Sequence, residues 1–151
     1  MLEIRNLDVR YGGIHAVQGV NISIRRGSIV TLVGANGAGK SSIIRSIAGL
    51  NKTVSGDILF TRNEGEAPMS LMGHKPEDMV RHGISLSPEG RRILPHLTVE
   101  ENLRLGAYIR SDREGIREDL EKVYDLFPRL RERLWQKGGT LSGGEQQMLA
   151  V

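Results

Sequence analysis

The feature that most constrains this chain is a glycine-rich loop between an apolar segment and a helix-forming segment. The loop satisfies the pattern of glycine, any four residues, glycine, lysine and then serine or threonine. It reads Gly34, Ala35, Asn36, Gly37, Ala38, Gly39, Lys40 and Ser41. Ile29 to Val33 is apolar and largely β-branched, and Ser41 to Gly49 has helical composition with Gly49 as its C-terminal cap. This order predicts a buried strand, a phosphate loop and a helix within an α/β fold.

The chemistry of the loop favours nucleotide binding over a plain turn. Glycines let backbone N–H groups point inward around phosphates, and the start of the helix presents its positive end to the anion. We expect Lys40 to contact the β- and γ-phosphates and the Ser41 hydroxyl to coordinate Mg²⁺. A turn that binds nothing needs neither side chain, so a nucleoside triphosphate, ATP in the first instance, is the predicted ligand. The loop alone does not separate kinases, GTPases and transport ATPases.

The segments around the loop show period-two and helical patterns. Apolar and polar residues alternate from Leu2 to Val9 and from Val20 to Ile24, which predicts half-buried antiparallel strands. Short strands are also predicted at Gly56 to Phe60 and Ile84 to Ser87, a loop at Arg62 to Ser70, and a helix from Pro76 to His82.

In the C-terminal half, three serine or threonine residues have a glutamate three positions later, which is the capping-box spacing of a helix start. They are Thr98 with Glu101, Ser111 with Glu114, and Ser142 with Glu145. After the second pair, one helical face carries Ile116, Leu120, Val123, Tyr124 and Phe127, and Pro128 ends the pattern. We therefore expect three helices in the C-terminal half.

Composition excludes several classes of protein. With 151 residues, 38% hydrophobic and 26% charged, the chain fits one globular domain. Its net charge of +3 comes from scattered lysines and arginines, so nucleic acid is not an expected partner. It has no cysteine, which excludes disulfides and thiolate metal sites. We also expect neither a signal peptide nor a membrane-spanning helix, since no apolar run is long enough.

A second motif follows the third predicted cap. Residues 141–147 read Leu-Ser-Gly-Gly-Glu-Gln-Gln. By itself this is a capped helix start, but beside the phosphate loop it resembles the signature of ABC transporter ATPases. The resemblance implies head-to-tail pairing with a second ATPase subunit, two ATP molecules lying at the interface. Ser142, Gly143 and Gly144 would then contact a γ-phosphate in trans.

The same resemblance implies further site residues. Tyr11 matches the aromatic that stacks on adenine, with Val17 as its neighbour, and Ser42 joins the phosphate-binding residues. Glu89 stands where the family has the glutamine that links the Mg²⁺ site to the membrane subunits, so Ser41 and Glu89 are the expected metal-side residues. An ionised carboxylate cannot donate a hydrogen bond as an amide does. The plainer alternatives are a core tyrosine at a strand end and a solvated loop glutamate.

The resemblance extends to one subfamily. Residues 88–92, Pro-Glu-Gly-Arg-Arg, followed by residues 97–103, Leu-Thr-Val-Glu-Glu-Asn-Leu, are similar to an ATPase subunit of branched-chain amino acid importers. This implies a related but different partner ATPase, membrane permease subunits, an indirect link to a substrate-binding protein, and a place at the cytoplasmic face of the inner membrane. Urea-type importers, non-transport ABC proteins and soluble P-loop kinases are the alternatives.

The family's remaining catalytic residues are not found in the chain. No Asp-Glu pair follows an apolar run, and the last histidine is His96. We therefore expect an ATP hydrolase in the intact protein, whereas residues 1–151 alone bind ATP without efficient turnover. The expected fold is α/β, a P-loop NTPase core that is truncated before the strand with the family's acidic (Walker B) residues. It divides into an antiparallel N-terminal β layer with the P-loop core (1–97), a helical subdomain (98–139), and the signature with its helix start (140–151).

Overall fold

The computed structural model describes residues 1–52 and 54–151. The chain forms two compact units, residues 1–86 and residues 87–151. The finer division at residues 97 and 139 stays a prediction. No helix in the described part of the chain has the length and apolarity needed to cross a bilayer.

An antiparallel sheet of four strands forms one layer of the first unit. The strands are β1 (Leu2–Tyr11), β2 (Ile14–Ile24), β3 (Val54–Phe60) and β4 (Met69–Ser70), in the order β2-β1-β3-β4. Ile4 of β1 pairs with Ile22 of β2 on one side and with Ile58 of β3 on the other. The alternating pattern thus predicted β1, the end of β2 and their antiparallel pairing, but β2 begins at Ile14, six residues before the predicted Val20. The loop prediction for Arg62 to Ser70 was wrong at its end, because Met69 and Ser70 pair with Phe60 and Leu59.

The core of this unit forms where the inward residues of β1 meet two short helices, α1 (Lys40–Ile47) and α2 (Pro76–Arg81). Ile4, Leu7 and Val9 are at most 1% exposed, and Met79 of α2 is equally buried. Each such side chain contributes about 1.5–3 kcal/mol relative to an exposed one. The predicted helices are confirmed: left-handed Gly49 follows the end of α1, and α2 has proline in its first turn.

Two predicted strands are not formed. Ile29 to Val33 and Ile84 to Ser87 are outside every helix and strand of the described residues. Ile29 is 98% exposed and Val33 is 90% exposed, so the prediction of a buried strand at 29–33 was wrong. A strand in a parallel sheet is buried by neighbouring strands and covering helices. Among residues 1–52 and 54–151, no strand pairs with this segment.

The second unit is helical. It contains α3 (Val99–Gly106), α4 (Arg113–Leu126), α5 (Pro128–Arg131), a 3₁₀ turn (Gly138–Thr140) and α6 (Gly143–Leu149). Val99, Leu130, Leu141 and Leu149 form its small core. Asn102 of α3 ties the preceding loop to the helix, because its side chain accepts from Leu94 N–H and donates to Leu94 O, Leu97 O and Thr98 O.

Two of the three predicted capping boxes are present. Thr98 and Ser142 each accept from the N–H of the glutamate three residues on, and each glutamate accepts in return. The Ser111 cap was wrong, since Asp112 precedes the first turn of α4 and makes no capping bond. Arg110 instead forms ion pairs with Asp112 and Asp119 at 2.6 Å. Hydrogen bonds from Lys122 and Arg110 lower the pKa of Asp119 to about 2. The start of α4 is therefore held by charge pairs.

Candidate nucleotide site

The glycine loop leads directly into α1. Residues 34–38 are exposed, and Lys40 is the first residue of the helix. The Lys40 ammonium donates to Gly34 O and Ala35 O, both at 2.8 Å, so the side chain lies back across the loop that carries it. An ammonium has three donors. The third N–H of the ammonium can therefore donate to a phosphate oxygen, and the other two can do so by giving up their bonds to Gly34 O and Ala35 O.

The loop is pressed against β2 at Gly39. This residue has φ of 88°, and a Cβ built on it would lie 2.5 Å from Ala16 O and 3.0 Å from Val17 Cγ2. A side chain here would displace backbone, so glycine is needed for both the conformation and the close approach. Val17 itself is only 4% exposed, and its side chain packs against the loop and the core.

Tyr11 lies at the end of β1 and is 43% exposed. Its hydroxyl donates to Asn51 Oδ1 at 2.9 Å and is 3.3 Å from Ser42 Oγ. The structure thus brings Tyr11 together with Ser42, the second residue after Lys40. Asn51 was not predicted to take part. Its only sequence signal is a position two residues after the glycine that ends α1.

Ser41 lies in the first turn of α1 and has an exposed side chain. The described residues contain no group of three or more histidine, aspartate or glutamate side chains that could hold a metal ion. Mg²⁺ at a nucleotide keeps several waters and is bound through few protein oxygens together with phosphate oxygens. A hydroxyl beside the phosphate loop is a suitable oxygen donor for that role.

In the second unit, Glu89 lies in an exposed turn. Arg91 has a positive φ of 48°, which is uncommon for a residue other than glycine. Its guanidinium lies on Gly143, where a Cβ would come within 2.6 Å of Arg91 Nη1. The segment with Glu89 and Arg91 and the predicted signature are therefore in contact within this unit.

Ser142 begins α6 and holds its first turn. Ser142 Oγ accepts from Glu145 N–H at 3.3 Å, and Glu145 Oε2 accepts from Ser142 N–H at 2.9 Å. Hydrogen bonds from the Ser142 side chain and backbone N–H to the Glu145 carboxylate, helped by the charges of Arg133 and Arg129, lower the pKa of Glu145. The Ser142 hydroxyl therefore interacts with Glu145 through both its oxygen and its proton. Ser142 and Gly144 are exposed, and Gly143 is half-buried.

Comparison with known proteins connects the two units to one family. The profile of the ABC transporter family matches residues 17–151. The high-affinity branched-chain amino acid transport ATP-binding protein BraG of Pseudomonas aeruginosa is 44% identical over 100% of this chain and 62% of its own length. The probable branched-chain amino acid transport ATP-binding protein LivF of Archaeoglobus fulgidus is 38% identical over 100% of this chain and 61% of its own length. The chain thus spans under two thirds of these relatives.

Solved structures show the same fold. A nucleotide-free ATP-binding cassette from an ABC transporter has a TM-score of 0.78 and 26% identity, covering 99% of this chain and 62% of its own. A dimeric bacterial ABC transporter cassette, MJ0796, has a TM-score of 0.76 and 26% identity, covering 100% of this chain and 67% of its own. The predicted α/β P-loop class with an antiparallel N-terminal layer is confirmed by these likenesses.

Proposed function

This chain belongs to the ABC transporter family. On that premise we propose that it is an ATP-binding subunit in which residues 34–42 bind the phosphates of ATP and Tyr11 stacks on the adenine. The observation that carries the proposal is the first unit's arrangement of Lys40 and Tyr11. The Lys40 ammonium donates to the carbonyl oxygens of Gly34 and Ala35 in the loop. The Tyr11 hydroxyl lies 3.3 Å from Ser42 Oγ, at the start of the helix that Lys40 begins. In this proposal Lys40, at the start of α1, serves the phosphates, and Tyr11, at the end of β1 and beside the same helix, serves the base.

The loop residues divide the work of holding the triphosphate. Backbone N–H groups from Gly34 to Gly39 surround the phosphates, and the Lys40 ammonium neutralises the β- and γ-phosphates. Ser41 would hold Mg²⁺, which would supply charge neutralisation at the phosphates, and Glu89 is the second residue proposed for a role at the metal. Tyr11 stacks on adenine, for which about 1–3 kcal/mol per base is typical.

We propose that Ser142, Gly143 and Gly144 act on the ATP bound by a second subunit. Support comes from the exposed position of Ser142 at the start of α6 and from the half-buried and exposed glycines beside it. The similar cassette MJ0796 is described as dimeric. Closure of two subunits head to tail would place each signature over the other's γ-phosphate, where preorganised donors stabilise developing charge.

The names of BraG and LivF support transport of branched-chain amino acids as the cellular role. We propose that the whole protein hydrolyses ATP to drive their uptake through partner permease subunits, with a related ATPase as its dimer partner. The proposed location is the cytoplasmic face of the membrane. Residues 1–151 alone bind ATP without efficient turnover.

Uptake of labelled leucine tests this role. Cells lacking the protein would be complemented with the full natural chain, with Lys40→Ala, or with Lys52→Ala as the control at an exposed lysine outside the loop. We expect uptake with the natural chain and Lys52→Ala, and none with Lys40→Ala. Leucine uptake that is unaffected by loss of the protein would contradict the transport assignment.

A further inference from the structure

We infer that Asn51 is a positioning residue that holds the Tyr11 ring at the base end of the nucleotide site. The inference rests on the proposed function, because it takes Tyr11 to be the residue that stacks on the base. It concerns a side chain that neither motif contains. The carrying observation is a hydrogen-bond network that joins Asn51 to Tyr11, Ser42 and Ser46.

The chain reversal after α1 brings Asn51 to the network. Gly49 N–H donates to Ser46 O at 3.1 Å and Leu50 N–H donates to Arg45 O at 2.8 Å, so the chain turns back along the helix it has just left. Ser42 and Ser46 are four residues apart and therefore lie on the same face of α1. Asn51 reaches both of them.

The network fixes the orientation of the Asn51 amide. Asn51 Nδ2 donates to Ser42 O and to Ser46 Oγ, both at 2.8 Å. Ser46 is only 5% exposed, and its hydroxyl donates in turn to Ser42 O at 2.8 Å. A flipped amide would bring its oxygen against the Ser42 carbonyl oxygen, which is repulsive. The amide oxygen must therefore face away from α1, toward Tyr11.

That oxygen accepts the Tyr11 hydroxyl proton at 2.9 Å. A tyrosine side chain has two rotatable bonds, and its hydroxyl oxygen lies on the axis of the second, so fixing that oxygen fixes the direction of the ring. The ring is otherwise 43% exposed at the end of a strand, where neighbouring side chains do not enclose it. Asn51 thus holds the ring in one direction, with the Tyr11 hydroxyl beside Ser42, before any base arrives, which lowers the ordering cost of stacking.

Binding of ATP and of inorganic tripolyphosphate by the full natural chain separates this role from general support of the loop. Asn51→Ala and Tyr11→Phe each remove the hydrogen bond and keep the loop, so each should weaken ATP binding about threefold to tenfold. Tripolyphosphate has no base, and its affinity should not change. The double variant should bind ATP no more weakly than the weaker single variant, because both changes remove the same contact.

Asn63→Ala is the matched control, since within residues 1–52 and 54–151 the side chain of Asn63 bonds to Glu66, in an exposed turn of the same unit. It should leave both affinities unchanged. Equal weakening of ATP and tripolyphosphate by Asn51→Ala would overturn the inference and make Asn51 a support of α1, which a thermal melt would also register. Natural ATP affinity in Asn51→Ala would overturn it as well. If Lys40→Ala bound both ligands like the natural chain, the proposed function would fail first, and the inference with it.

Discussion

Ser142 serves two purposes through one hydroxyl, as the cap of α6 and as a proposed donor to a phosphate of the partner's ATP. The oxygen accepts in the first, and the second needs the hydroxyl proton to turn from the Glu145 carboxylate to the phosphate. The Arg91 guanidinium packs against the neighbouring Gly143, so the proposed phosphate-contacting turn also contacts the segment that contains Glu89. Changes at this turn should therefore affect pairing of subunits rather than nucleotide binding by one subunit.

Ser142→Arg tests that separation. The arginine cannot accept from Glu145 N–H and adds bulk to the face that would meet the partner, so we expect ATP binding by one subunit to remain and ATP-driven dimerisation to disappear. Nucleotide binding and sedimentation velocity of the full natural chain would measure both. Ser111→Arg is the control, because Ser111 is exposed and caps no helix. If Ser142→Arg dimerised at the same ATP concentration as the natural chain, the assignment of Ser142 to the ATP of a second subunit would be refuted.

Single residues differ in how far sequence reasoning could reach them. Lys40, Ser41 and Ser142 belong to contiguous motifs whose spacing carries their chemistry. Asn51 touches Tyr11 across 40 positions of sequence, and Arg91 touches Gly143 across a comparable distance. No local pattern encodes either contact, because each depends on how a turn returns the chain. Both contacts could therefore be identified only from the folded structure.

At the scale of elements, local hydrogen bonding decided which predictions succeeded. In the Thr98 and Ser142 boxes, each hydroxyl accepts from the N–H three residues on and each glutamate accepts in return. The Ser111 box did not form, because Arg110 draws Asp112 and Asp119 into ion pairs and the helix begins two residues later. Spacing alone could not weigh those charges against a cap. The apolar face of α4 was nevertheless predicted, since Tyr124 is buried and its neighbours on that face are partly buried.

Thr98→Ala tests the energetic weight of a cap in this unit. The change removes the acceptor of Glu101 N–H at the start of α3, and we expect about 1 kcal/mol of lost stability. Urea unfolding followed by circular dichroism would measure it, with Ser111→Ala as a control that should change little.

The loss of α3 at low pH is a second test of the capping box that Thr98 forms with Glu101. Hydrogen bonds from Thr98 lower the pKa of Glu101 from its ordinary value of 4.5. The stabilisation from the ionised carboxylate is present above that ordinary value and is lost as pH falls through the lower folded pKa. Glu101→Gln should therefore show less acid-dependent loss of α3 than the natural chain. An equal loss in both would contradict the role of the charged box.

At the scale of the whole molecule, the antiparallel layer and the helices were accessible from sequence, whereas the strand before the phosphate loop was not formed as predicted. Its residues have the right composition, but burial of a strand depends on neighbours supplied by other parts of a sheet. Ile29 and Val33 remain exposed because no strand of the described residues lies beside them. The phosphate loop keeps its own geometry, since Gly39 packs on Ala16 and Val17 and Lys40 bonds within the loop.

The most direct test of the central claim is equilibrium binding of Mg-ATP to the full natural chain, to Lys40→Ala and to Lys52→Ala. Loss of the charge-assisted bonds to phosphate should weaken binding by at least about tenfold in Lys40→Ala. Lys52→Ala, outside the loop, should bind like the natural chain. Equal affinity of Lys40→Ala and the natural chain would show that residues 34–41 do not hold the triphosphate, and the account of this protein as an ATP-binding subunit would be wrong.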